Sequence, residues 1–138
     1  MKRRNILIML VILCSALSCP AQIIRNTNNS ILSKIDADGT IRNSNNSIVA
    51  RISSNGVIRD PNNHVLGKIC NNGEIRDPNN SLMGKVESNG VVRNRDNSTI
   101  GKVEANGTVR DNNNHTIGYA KGVPIRYAAV FFFFIIFV

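Results

Sequence analysis

The sequence predicts an all-β fold. The expected architecture is a shallow, pseudo-symmetric closed barrel of about ten to twelve short strands, built from hairpin repeats and plugged by an apolar C-terminal segment. Three observations predict it. Six copies of one pattern begin at Ile24, Ile41, Ile58, Ile75, Val92 and Val109, each 17 residues after the last. Two turn signals punctuate each copy, so no stretch within the repeats runs long enough between turns to make a helix. The chain then closes on AAVFFFFIIFV, eleven residues without a polar side chain.

Residues 1–21 read as a signal peptide. Lys2, Arg3 and Arg4 form a positive start, residues 6–13 are unbroken apolar, and residues 15–21 supply small side chains for cleavage. Two processed forms are open. Cleavage after Ala21 leaves Gln22 first. Alternatively, Ala16-Leu17-Ser18-Cys19 is a lipobox with Ala in place of a larger aliphatic residue, and Cys19 is lipidated. The apolar run is shorter than the ~20 residues a membrane span needs. The expectation is therefore an exported protein of the periplasm, outer envelope or extracellular space, with lipoprotein anchoring as a variant. Three of the 17 basic residues belong to this segment, which leaves fourteen against nine acidic ones. With cleavage after Ala21, Cys70 is the one cysteine left, so no internal disulfide is expected. Other copies hold Asp36, Ser53, Glu87 and Glu104 at its position, the mark of a replaceable surface residue rather than a nucleophile.

Residues 22–126 form the repeat barrel. The consensus is I-R-(N/D)-x-(N/D)-N-(S/H)-x-h-G-K-h-x-x-N-G-x, with h aliphatic. The sharper turn is Asp38-Gly39, Asn55-Gly56, Asn72-Gly73, Asn89-Gly90 and Asn106-Gly107, expected to place two consecutive residues at positive φ. The other is the polar loop, such as Asp60-Pro61-Asn62-Asn63, where Asx side chains bond their own backbone. Five hairpins give ten strands. The segments around residues 23–26 and 116–120 lack a hairpin partner, and pairing them closes the ring and removes its exposed edges. Aliphatics recur at the first, ninth and twelfth positions. The last two lie three apart, which would send them to opposite faces of a regular strand. The small tenth residue (Ser33, Ala50, Gly67, Gly84, Gly101, Gly118) is read as a bulge that restores a common face.

Residues 127–138 form the plug. A ring this large encloses more space than its short side chains fill, since ~8 strands already pack shut. Strands of four or five residues make a wall ~15 Å high, and eleven helical residues are ~16 Å long. A helix apolar all round belongs in a core. A β-strand is the alternative, because Phe and Ile favour strands.

These I-R-(N/D)…G-K-h…N-G hairpins, ending in an Ala-then-Phe-rich tail, resemble the bacterial five-fold β-flower proteins over residues 24–138. The resemblance implies a shallow barrel with an apolar interior, similar in architecture to tubby-type barrels, which associate with membrane lipids. It implies no catalytic residues.

Two sets of cations recur. Arg25, Arg42, Arg59, Arg76, Arg93 and Arg110 hold the second position, and Lys34, Arg51, Lys68, Lys85 and Lys102 the eleventh. In a closed ring each set makes a circle of like charge. Both are candidate contacts for an anionic surface, a membrane lipid or another cell-surface component, at about 1 kcal/mol per charge. Nucleic acid is not an expected partner: there is no Trp, and the only Tyr residues are Tyr119 and Tyr127. No cofactor or metal is expected. The loops starting at Asp60, Asp77 and Asp111 offer few carboxylates for Ca²⁺, and His64 and His115 share their position with serines. Each polar residue type recurs copy after copy, so no asymmetric catalytic cluster stands out. The expected function is a non-enzymatic, secreted or envelope-associated module at a lipid surface. The alternative is a carbohydrate-binding module using loops such as residues 60–64.

Overall fold

The structure, a computed structural model, describes residues 22–134. The proposed signal segment with Cys19, and the last four residues of the tail, lie outside the described residues.

Each copy supplies two strands. In chain order they are β1 (Gln22–Arg25), β2 (Ile31–Ile35), β3 (Thr40–Asn43), β4 (Ile48–Ile52), β5 (Val57–Arg59) and β6 (Val65–Ile69). The second half comprises β7 (Glu74–Arg76), β8 (Leu82–Val86), β9 (Val91–Asn94), β10 (Thr99–Val103), β11 (Thr108–Asp111) and β12 (Thr116–Tyr119). Every strand pairs antiparallel with its neighbours in sequence, and β1 meets β12 to close a twelve-strand barrel. Asx-Gly turns join five of the hairpins. The sixth is assembled from the two ends of the repeat region, with Arg25 opposite Tyr119.

The turn chemistry differs from the expectation. Only the glycine of each Asx-Gly pair has positive φ, from 88° at Gly56 to 93° at Gly90. The preceding Asx stays at negative φ, and its side chain accepts a backbone N–H, as when Thr40 donates to Asp38 Oδ1 at 3.0 Å. The loop is thus the three-residue form ending in a left-handed residue, not the two-residue form with both residues left-handed. Gly56 N–H donates to the Ser53 carbonyl, and Ser53 N–H to the Val57 carbonyl, both at 2.9 Å. The polar loops at the other end of the barrel have the same build. Asn63 donates to the Asp60 carbonyl, Asp60 to the His64 carbonyl, and the left-handed residue is Asn63, at φ 71°. Six loops end in Asn and five in Gly for a steric reason. At the glycine end each turn lies under the next hairpin: Ile69 N–H donates to the Gly56 carbonyl at 2.9 Å, and a Cβ on Gly56 would strike the Ile69 carbonyl. The Asn residues are exposed, and their short polar side chains tolerate the left-handed region.

First-position residues Ile24, Ile41, Ile58, Ile75, Val92 and Val109 are fully buried, and Ile35, Ile52, Ile69, Val86, Val103 and Ala120 at the twelfth nearly so. Each such aliphatic side chain is worth about 1.5–3 kcal/mol in apolar burial. The bulge exists, but its extra residue is the ninth, not the tenth. Ile41 pairs with Ala50 and Arg42 with Ile48, skipping Val49, and the same shift recurs at Ile58–Arg59 opposite Leu66. It lets Val49, Leu66 and their counterparts pack against the core beside an inward-facing tenth residue.

At Gly84, Gly101 and Gly118 the tenth residue is small because the tail lies on it. After Pro124 the chain forms α1 (Ile125–Ala129) and then a π-helix (Val130–Phe134). Ala128, Ala129 and Val130 are fully buried. The Phe132, Phe133 and Phe134 rings lie over Gly118, Gly101 and Gly84, one ring for each successive copy around the wall. A Cβ on Gly118 would come within 2.5 Å of the Phe132 ring, and one on Gly84 within 2.6 Å of the Phe134 ring. A helix bonded i→i+5 turns through less than the ~100° per residue of an α-helix. That brings its step closer to the sixth of a turn that separates neighbouring copies. Of the two tail conformations left open by composition, the described part is helix.

Candidate functional site: the charged outer wall

Alternation along each strand puts the second and eleventh positions on the outer face, and antiparallel pairing sets them directly opposite one another. Lys34 faces Arg42, Arg51 faces Arg59, Lys68 faces Arg76, Lys85 faces Arg93 and Lys102 faces Arg110. The sixth pair, at the seam, is Tyr119 and Arg25. The two expected circles of charge are therefore one belt of facing cations, an arrangement that costs stability unless carboxylates offset it.

The offset is selective. Arg42 Nε binds Asp36 at 3.0 Å, Arg93 Nε binds Glu87 at 2.7 Å, and Arg110 Nε binds Glu104 at 2.6 Å, each carboxylate coming from the thirteenth position. Arg76 uses Glu74 instead, at 2.9 Å, because Cys70 holds its thirteenth position. All six arginines also donate Nη1 to the carbonyl of the left-handed Asn in their own loop, at 2.9–3.2 Å. The second-position arginines are tied to the scaffold. The eleventh-position cations are different. Among the described residues, Lys34, Arg51, Lys68, Lys85 and Lys102 take part in no ion pair, and all but the half-buried Lys34 are exposed. The recurring arginines pointed to a surface role by number alone; register separates bound cations from available ones.

The remaining candidates fall into place around this belt. His64 and His115 pair with Asp60 and Asp111 in the exposed Asn loops, and no group of three metal-ligating residues occurs among the described residues. Cys70 is a free thiol, half-buried, whose carbonyl accepts from Arg126 at 3.2 Å. Beside α1, at the glycine end, lies a cleft of about 310 Å³ lined by Asp36, Asp38, Ser53, Ser54, Pro124 and Tyr127, among others. No helix of the described residues is long and apolar enough to cross a membrane. The strands, three to five residues long, are also shorter than the ~9–11 residues of a spanning strand.

Carboxylates of the loops, together with Glu74 on β7, give the barrel an acid limit. Backbone N–H groups of Thr40, His64 and His115 hold the Asp38, Asp60 and Asp111 carboxyls below their ordinary range, and the Arg76 guanidinium does the same for Glu74. A carboxyl with a lowered folded-state pKa contributes stability above its unfolded value, near 4, and loses it as pH falls through the folded value. The melting temperature should stay level from about pH 7 to pH 5 and fall steadily below about pH 4. Thermal melts across that range check it, and a rise on acidification would contradict the loop assignment.

Taken together, these features define a closed barrel of hairpin repeats, filled by its own tail and belted with cations. The chain matches the family of 5-fold beta-flower proteins over residues 21–136, and it belongs to that family. No curated protein and no solved structure matches it.

Proposed function

We propose that the protein is a non-enzymatic, exported or envelope-associated module that docks on anionic membrane surfaces through the side of its barrel. Export rests on the charged-then-apolar pattern of residues 1–21. Docking rests on one observation: among the described residues the eleventh-position cations take part in no ion pair, although Lys85 stands opposite Glu74, whereas Asp36, Glu74, Glu87 and Glu104 each bind a second-position arginine. Basic side chains near anionic headgroups gain about 1 kcal/mol each. The belt runs around a cylinder, so a flat surface meets two or three neighbouring hairpins at once. Binding is therefore modest and sensitive to salt. Flotation with phosphatidylcholine vesicles, with and without phosphatidylglycerol, tests this. The protein should float only with the anionic vesicles, release as salt rises from about 0.05 to 0.5 M, and fail to float once all five cations are replaced by Gln. Equal flotation with both vesicle types, or with neither, overturns the reading.

The cleft beside Tyr127 favours a second reading, carbohydrate binding. Tyr127 and two carboxylates, Asp38 and the Arg42-bound Asp36, line one concavity. It lies at the opposite end of the barrel from the loop of residues 60–64, and a glycan array separates it from lipid docking.

A further inference from the structure

Six near-identical hairpins act as controls for one another, and one of them breaks the rule. In β4–β5 both facing cations are arginines, Arg51 and Arg59. The thirteenth position, which carries the Nε-bound carboxylate in three other hairpins, is Ser53, whose hydroxyl turns to Asn55 Oδ1 at 2.5 Å and the Val57 carbonyl at 3.1 Å. The position that supplies Glu74 in the Cys70 copy is Val57. Arg59 spends one N–H on the Asn63 carbonyl, and Arg51 has no side-chain hydrogen bond among the described residues. The nearby carboxylates do not bind the pair: Asp38 accepts from Thr40 and lies within electrostatic reach of Arg51 without an ion pair to it, and Asp60 accepts from the His64 backbone and side chain. Among the described residues this is the one facing pair of cations with no carboxylate bound to either. Arg25 at the seam also lacks one, but it faces Tyr119.

Three apolar side chains stand near this pair, although Thr40 faces Arg51 directly and Lys68 faces Val57. Ile48 stands opposite Arg42 on the β3 side, Val57 precedes the pair on β5, and Val65 stands opposite Arg59 on the β6 side. Val65 is one of two exposed large apolar residues among the described residues. Two facing guanidiniums repel at a cost to stability, and a planar fork of donors matches phosphate oxygens two at a time. An oxyanion set between them takes the donors that Asp36, Glu87 and Glu104 occupy in the sister hairpins.

We propose that hairpin β4–β5 is a phosphate-binding site, in which Arg51 and Arg59 clasp the phosphate of an anionic phospholipid while Ile48, Val57 and Val65 rest against its apolar portion. This rests on the membrane-docking reading and narrows it to one side of the barrel. The belt supplies general attraction, and this hairpin sets which face meets the lipid.

The test uses the full chain and two lipid-free and lipid-bound readouts. Vesicles of phosphatidylcholine with phosphatidic acid are titrated against wild type, R51Q/R59Q, R51K/R59K and K85Q/K102Q. The expected result is a loss of roughly 30-fold in affinity for R51Q/R59Q and less than about 3-fold for K85Q/K102Q, although both remove two charges. R51K/R59K keeps the charge and should still lose about tenfold, because ammonium groups cannot form the bidentate fork. Melting temperatures at or above wild type for R51Q/R59Q show that the fold is intact. Equal losses from the two glutamine pairs overturn the site and leave the docking reading standing. In parallel, the Arg Nε–H resonances are followed as methyl phosphate is added. Shifts confined to Arg51 and Arg59, with no vesicle binding by wild type, keep the phosphate site and remove the membrane as its source. Silence in both experiments overturns both proposals.

Discussion

A chain ending at Arg126 is expected to lose the single cooperative unfolding transition shown by the chain that runs to Val138. Truncation removes Ala128, Ala129 and Val130, all fully buried, and the rings that cover Gly118, Gly101 and Gly84. The rings are half-buried, so each is worth less than the roughly 3–5 kcal/mol of a fully buried Phe, against about 5–15 kcal/mol for a domain of this size. Three rings and three fully buried small residues together are of the order of that margin. Circular dichroism melts check it, with dye binding to report the exposed interior. A milder probe of the same contact is Gly101→Val, which forces the Phe133 ring off the wall and should cost about 1–3 kcal/mol. If the shortened chain melts at the wild-type temperature, the tail is not the core, and the glycines at the tenth position lose their explanation.

Two left-handed positions with similar φ should respond very differently to substitution. Gly56→Ala adds a Cβ at φ +88 against the Ile69 carbonyl. Left-handed strain costs of order 1–3 kcal/mol, and loss of the hydrogen bond from Ile69 adds about 1 kcal/mol. Asn63→Gly relieves a strained position at φ 71° in an exposed loop, so its effect should stay within about 0.5 kcal/mol of zero. Urea melts of the two variants give the comparison. A damaging Asn63→Gly, or a harmless Gly56→Ala, would show that the stacking of turns under neighbouring hairpins is not what demands glycine.

Architecture was legible because the repeat is exact in length. Six uninterrupted copies with paired turn signals imply a ring of hairpins whose ends must meet, and β1 does pair with β12. Register was not legible. The ninth and tenth positions are adjacent in sequence and both apolar or small, and only the pairing of Ile41 with Ala50 shows which is the extra residue. Turn form escaped for a similar reason: Asn-Gly suits two loop types, and the choice follows from the hydrogen bond between successive turns. The charged wall was half legible. Alignment of the copies displayed every cation, yet the division between tied second-position arginines and available eleventh-position cations depends on which carboxylate falls within reach across a strand. The exchange of acid for Ser53 was visible in the same alignment. Its meaning was not, because nothing local says that the thirteenth position addresses an arginine six residues ahead.

The seam between β1 and β12 carries a consequence for how the molecule comes into being. The hairpins are local, and each can form within microseconds of its turn becoming free to fold. The strands of the seam, however, lie almost the full length of the repeat region apart, and the interior is filled by residues that follow the last strand. Early hairpins wait with open edges and an unfilled face until the last strand and the phenylalanines arrive. Contacts of such separation form slowly, and unpaired edges invite wrong partners in the meantime. The completed ring thus depends on the segment from β12 onward, and a chain interrupted anywhere before it is a strip with two sticky borders.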